Sequence, residues 1–126
     1  GMQLKNRNIL TTEEKGVLLD GQTEKPFSGK YNDFSQKGIY VCKLCDFQLF
    51  DSVSKFHSNC GWPSFDDVID DAVIKKRDVS LGRVRLEIIC SNCKGHLGHV
   101  FEGENYTKKN TRYCVNSLSL KFISKL

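Results

Sequence analysis

Two spacings of apolar residues divide the chain. Near the N-terminus, Thr11-Thr12-Glu13-Glu14 precedes a compact apolar segment, with Thr11 and Glu14 at capping-box spacing. This predicts a short helix through about Leu19, closed by Gly21. From Gly38 onward the period falls to two. Ile39-Tyr40-Val41-Cys42 and Phe47-Gln48-Leu49-Phe50 read as strands, Ala72-Val73-Ile74 opens another, and Arg83 to Ile88 alternates cleanly. Such alternation buries one face and turns the other to solvent or a cleft. A last alternating run holds Tyr113 to Ile123, with Cys114 inside it and Leu118, Leu120 and Phe122 continuing the pattern. The expected architecture is mostly β, antiparallel, with a minor N-terminal helix.

Between these elements, residues 1–10 are polar and read as a loose arm whose first anchor is Leu10. Residues 24–31 form a turn-rich connection in which Phe27 and Tyr31 are expected to pin the chain to the core. Repeats, low-complexity tracts and linkers are lacking, so residues 1–126 are expected to form one domain. Apolar runs stay far below the ~18 residues of a membrane span. No apolar segment follows the basic N-terminal residues, so a secretory signal is not expected and a cytoplasmic setting is. Nineteen basic residues against 15 acidic ones give a formal charge of +4. Its lysines are scattered, which argues against a nucleic-acid-binding face.

Cysteine adds the first chemistry. Four of the six cysteines fall in two Cys-x-x-Cys pairs, Cys42/Cys45 and Cys90/Cys93. Each pair can turn two thiolates toward one ion, and together they supply the closed Cys₄ shell of structural zinc. In a reducing compartment such pairs are better metal ligands than disulfides. A thioredoxin-like redox role wants a βαβ setting, which this pattern lacks. Iron bound as in rubredoxin would use the same ligands. A closed shell leaves the ion no open position for chemistry.

Cys60 and Cys114 remain. Cys60 lies in His57-Ser58-Asn59-Cys60-Gly61-Trp62-Pro63-Ser64-Phe65, where flanking Asn and Gly favour a loop with unusual backbone angles. Trp62 is either a core residue or a wall against which a ligand rests. Cys114 alone would read as a packing residue. Gly95-His96-Leu97-Gly98-His99-Val100-Phe101 follows the second Cys pair, placing His96 and His99 as acid/base candidates or as structural histidines.

In order, Cys-x-x-Cys, Cys-Gly-Trp-Pro-Ser-Phe, Arg85-x-Glu87-x-x-Cys-x-x-Cys, His-Leu-Gly-His-Val-Phe and Arg-Tyr-Cys-Val-Asn-Ser resemble the peptide-methionine (R)-S-oxide reductase family, MsrB, over roughly residues 24–123. The resemblance implies a zinc-stapled pair of antiparallel sheets of the β-tent kind and thiol-dependent reduction of the R epimer of methionine sulfoxide, preferably in peptides or proteins. By motif, Cys114 matches the nucleophile and Cys60 the resolving cysteine, so a sulfenic acid and then a Cys60–Cys114 disulfide are implied. Trp62 matches the wall for the substrate methyl, with Phe101 as a further substrate contact. His96, His99 and Asn116 match polar groups around the sulfoxide oxygen, His99 being the preferred proton donor. Cys42, Cys45, Cys90 and Cys93 match the zinc ligands, and thioredoxin is the implied reductant. Three departures stand out: Asn59 where Gly is usual, His57 where an acid is common, and a Glu102–Thr111 segment without the usual Gly-Pro and Thr-Gly turn. The rival is a zinc-stapled binding module with Trp62 and Phe101 as an aromatic pocket, or a purely structural zinc domain. Either leaves Cys60, Cys114 and the histidines idle.

Overall fold

The short apolar runs pair into two antiparallel sheets. The computed structural model describes residues 7–79 and 82–125. One sheet has the order β2 (Gln48–Asp51), β1 (Gly38–Cys42), β9 (Leu120–Ser124). The other has the order β3 (Lys55–Phe56), β4 (Ser64–Phe65), β8 (Thr111–Val115), β7 (His96–Glu102), β6 (Arg85–Cys90), β5 (Val73–Asp78). Mostly β architecture with one short helix is what the alternation implied.

Inward-facing positions of both sheets make the core: Tyr40, Leu49, Phe50, Phe65, Ile88, Leu97 and Val115 are almost fully buried. Phe50 stacks on Phe65 at 4.3 Å between ring centroids, and Tyr40 meets Phe65 edge-on at 5.1 Å. Such pairs contribute about 0.5–1.5 kcal/mol beyond burial itself. Phe65 thus joins the strand after the Cys60 loop to the heart of the core, which fixes where that loop ends.

The helix, α1 (Thr12–Leu18), begins as its capping box requires: Glu14 N donates to Thr11 Oγ1 at 3.1 Å and Thr11 N to Glu14 Oε1 at 2.9 Å. Losing such a cap costs about 1 kcal/mol. Val17 and Leu18 are buried, and the helix packs on β7 and on the turn before β9.

Four readings change. Residues 1–6 of the expected arm lie outside the described residues. From Asn8 the chain is already tied down, its side-chain amide donating to Lys43 O at 2.9 Å, while Leu10 is buried as expected. Tyr31 pins the 24–31 connection, but Phe27 is 67% exposed and does not. The strand drawn from Arg83 begins at Arg85. Alternation from Cys114 to Phe122 is not one strand: β8 ends at Val115, a 3₁₀ turn spans Ser117–Ser119, and β9 joins the other sheet. Buried hydroxyls make that turn possible, Ser119 Oγ donating to His96 O at 2.8 Å.

Candidate active site and metal centre

Both Cys-x-x-Cys pairs sit on the same backbone device. Asp46 N returns to Cys42 O and Lys94 N to Cys90 O, both at 2.8 Å, while Cys42 N and Cys90 N donate to Phe47 O and Gly95 O. Asp46 and Lys94 close these turns at φ of 65° and 68°. Cys42 ends β1 and Cys90 ends β6, so one knuckle comes from each sheet. All four sulfurs lie within 4.8 Å of one another, with Cys42–Cys93 at 3.6 Å and Cys45–Cys90 at 3.7 Å. Four soft donors so gathered could hold one metal ion, and a tetrahedral shell with ~2.3 Å metal–sulfur bonds needs sulfurs about 3.8 Å apart.

The second cluster opens onto a cleft of about 230 Å³ lined by Cys60, Trp62, His99, Phe101, Cys114 and Asn116, together with Thr23, Arg83, Arg85 and Arg112. Cys60 rides on a loop whose neighbours are left-handed: Asn59 has φ 61° and Gly61 φ 100°. Asn is one of the few side chains that visits this region readily, so it serves where Gly is usual. Cys114 lies on β8 directly opposite Ser64 of β4 and His99 of β7. Cys60 and Cys114 line the same cleft, and each thiol sets the proton of the other. Two thiols so placed release a first proton easily and hold the second tightly. The first falls on Cys60, brought down to about 4 by the neighbouring Cys114 thiol against the cost of burial, with Ser58 and Ser64 contributing. Cys114 is pushed up by the neighbouring Cys60 and by burial.

Arg112, two residues before Cys114 on the same strand face, is 8% exposed and donates Nη1 to Cys60 Sγ at 3.2 Å. Its other nitrogens grip Glu104 at 2.8 and 3.2 Å, and its guanidinium stacks over Phe101 at 4.7 Å. Glu104 belongs to the rim segment that lacks the usual Gly-Pro turn. Asparagines do the turning there: Asn105 and Asn110 have φ 63° and 54°, and Asn105 N donates to Asn110 Oδ1 at 2.7 Å.

The two histidines face the same side because β7 is irregular. Ile88 pairs with Gly98 but Ile89 pairs with His96, leaving Leu97 as an extra residue. That bulge turns His96 back beside His99, with ring centroids 5.7 Å apart. His99 Nε2 meets Asp78 Oδ2 at 2.8 Å. Burial holds its pKa below the ordinary imidazole value, against the opposing pull of Asp78. His96 is 5% exposed, lies behind the cleft, and bonds through Nδ1 to Glu87 Oε2 at 2.6 Å. Asn116 reaches the cleft wall with its amide already engaged, Nδ2 donating to Leu97 O at 3.0 Å and Oδ1 accepting from Glu24 N at 2.9 Å.

Every expected cleft residue except His96 therefore lines one space, and the four knuckle cysteines form another. Arg112, Asp78, Glu87, Glu104 and Glu24 were assigned no role from sequence. Two-residue spacing from Cys114 was the signal for Arg112. Asp78, Glu104 and Glu24 act across strands and turns, where spacing carries no such signal.

The SelR domain family matches residues 10–124. Similar relatives carry the name peptide methionine sulfoxide reductase MsrB. That of Teredinibacter turnerae is 48% identical over 118 residues, covering 92% of this chain and 86% of the relative. That of Burkholderia cenocepacia is 46% identical over 120 residues, 94% and 84% of the two chains. That of Pseudomonas fluorescens is 44% identical over 118 residues, 93% and 90%.

Proposed function

The chain belongs to the MsrB family of peptide methionine sulfoxide reductases, and on that premise we propose that Cys114 and Cys60 carry the reduction as nucleophile and resolving thiol. The supporting observation is that both thiols line one cleft walled by Trp62, with Arg112 Nη1 on Cys60 Sγ at 3.2 Å. The two thiols carry one negative charge between them, and as substrate enters the charge settles on Cys114 and the shared proton on Cys60. Cys114 then attacks the sulfoxide sulfur of the R epimer while His99, as imidazolium, gives its proton to the oxygen. The S–O bond of the substrate breaks, methionine leaves, and Cys114 keeps the oxygen as a sulfenic acid. Cys60, now a thiol, condenses with it, forming the disulfide and releasing water. A dithiol donor of thioredoxin type returns both cysteines to thiols by exchange. Trp62 and Phe101 provide the apolar wall for the methyl group. His96, bonded to Glu87, and Asn116 organise the strand that presents His99.

Zinc is the proposed occupant of the four-cysteine cluster, held by Cys42, Cys45, Cys90 and Cys93. The sulfur spacing fits its tetrahedral shell, and the ion's role is to join the two sheets. A cytoplasmic setting, where free thiols persist, suits this chemistry. No helix among the described residues is long and apolar enough to cross a membrane.

Cys60→Ser tests the assignment. One methionine per chain should still form in a single turnover, with one oxygen retained on Cys114 by mass spectrometry, while cycling with thioredoxin stops. Normal thioredoxin cycling in this variant would remove Cys60 from the relay.

A further inference from the structure

Glu24 is an acid in a turn-rich connection far in sequence from both clusters, yet it is only 6% exposed. A buried carboxyl is costly unless it is engaged, and burial raises the Glu24 pKa accordingly. Its engagement is unusual in kind. Leu118 N donates to Glu24 Oε1 at 2.9 Å, in the 3₁₀ turn that carries the chain from β8 into β9. Oε2 fills the niche between Gly29 and Ser117, where any side chain at 29 would collide with Oε2 and with the Ser117 hydroxyl. The carboxyl group therefore bolts the connection to the turn directly after the catalytic strand.

The backbone of the same residue faces the other way. Its carbonyl accepts the Trp62 indole N–H at 3.1 Å, and its N–H donates to Asn116 Oδ1 at 2.9 Å. One residue thus fixes the edge of the proposed methyl wall and the amide two positions past Cys114. Thr23, next to it, lines the cleft.

We propose that Glu24 is a positioning residue of the reductase: its carboxyl group locks the 23–25 backbone onto the Ser117–Ser119 turn so that Trp62 and Asn116 stand at fixed places around the sulfoxide. The proposal rests on the reading of Trp62 as the substrate wall, and its test is chosen to separate the two. Trp62 is the chain's only tryptophan, so its emission reports the tether without any turnover.

Three variants decide the matter: Glu24→Ala, which removes the bolt; Glu24→Asp, which keeps the acid but shortens its reach; and Glu24→Gln, which keeps length and acceptor. Metal content and melting temperature are followed in each. Glu24→Ala should raise KM for an R-sulfoxide peptide roughly tenfold or more, slow single turnover, and red-shift Trp62 emission as the indole gains water. Glu24→Asp should do the same in milder form, and Glu24→Gln should restore both readouts. A residue that merely stabilised the fold would lower the melting temperature and leave KM and emission of the folded protein unchanged. That outcome in Glu24→Asp or Glu24→Ala overturns the proposal. Trp62→Phe, assayed alongside, addresses the premise: an unchanged KM there removes Trp62 from the wall, while the emission arm still judges the tether.

Discussion

Four cysteines in this chain are placed by backbone and two by side chains. Each knuckle repeats the same pair of backbone bonds and the same left-handed residue, and needs little from distant side chains. Cys60 and Cys114 instead owe their state to Arg112, Ser58, Ser64 and each other, brought together from separate segments. The first arrangement gathers donors for an ion. The second sets apart the protons of two otherwise equal thiols. Sulfur acquires its role here from what surrounds it.

The same chemical change should therefore have opposite consequences at the two places. Cys114→Ser should bring sulfoxide reduction below detection with any donor, with metal content and melting temperature unchanged. Cys93→Ser should lose the ion and, with it, cooperative folding, because metal affinity at such a site is folding free energy. Elemental analysis and thermal melts of both variants check the contrast. Folded, metal-free and active Cys93→Ser protein would erase it.

Smaller effects probe how the cleft sets its protons. His99→Ala should slow single turnover by roughly 10²-fold while the metal stays bound. Because the active form is the imidazolium and burial lowers its pKa, turnover should fall with rising pH earlier than an ordinary histidine would dictate. Asp78 opposes that lowering, so Asp78→Asn should move the alkaline limb to still lower pH. Stopped-flow pH profiles read both, and an unshifted limb in Asp78→Asn would detach the carboxylate from His99.

The mildest change concerns Cys60. With its pKa near 4, alkylation of Cys60 should be pH-independent through the neutral range and decline only in acid. Arg112→Leu removes one donor to the sulfur and should move that decline upward, toward ordinary thiol behaviour, as peptide mapping after iodoacetamide would show.

This contrast also explains what was legible beforehand. The knuckles could be read because their geometry is local, two cysteines and a turn within five residues. Cys60, Cys114 and His99 came with their motifs, and Asn59 and Gly61 announced the bent loop. Glu24, Asp78 and Glu104 could not be read, since each acts on a partner from another segment and nothing beside it in the chain marks it. The break after Val115 was hidden for another reason. Leu118, Leu120 and Phe122 preserve strand-like alternation through a turn, and only the buried hydroxyls of Ser117 and Ser119 betray it.

The extra residue at Leu97 has a consequence for how such a sequence encodes its site. Positions three apart on a regular strand have opposite parity and cannot share a face. A His-x-x-His interval on a strand is therefore a message with one letter inserted, and it decodes to a common face only where the pairing skips a count. Removing Leu97 would leave the histidines intact as letters and restore an even ladder. His96 and His99, then two apart, would stay on one side, whereas keeping Leu97 and pairing it with Ile89 would send them to opposite sides of the sheet by no more than a frame error of one.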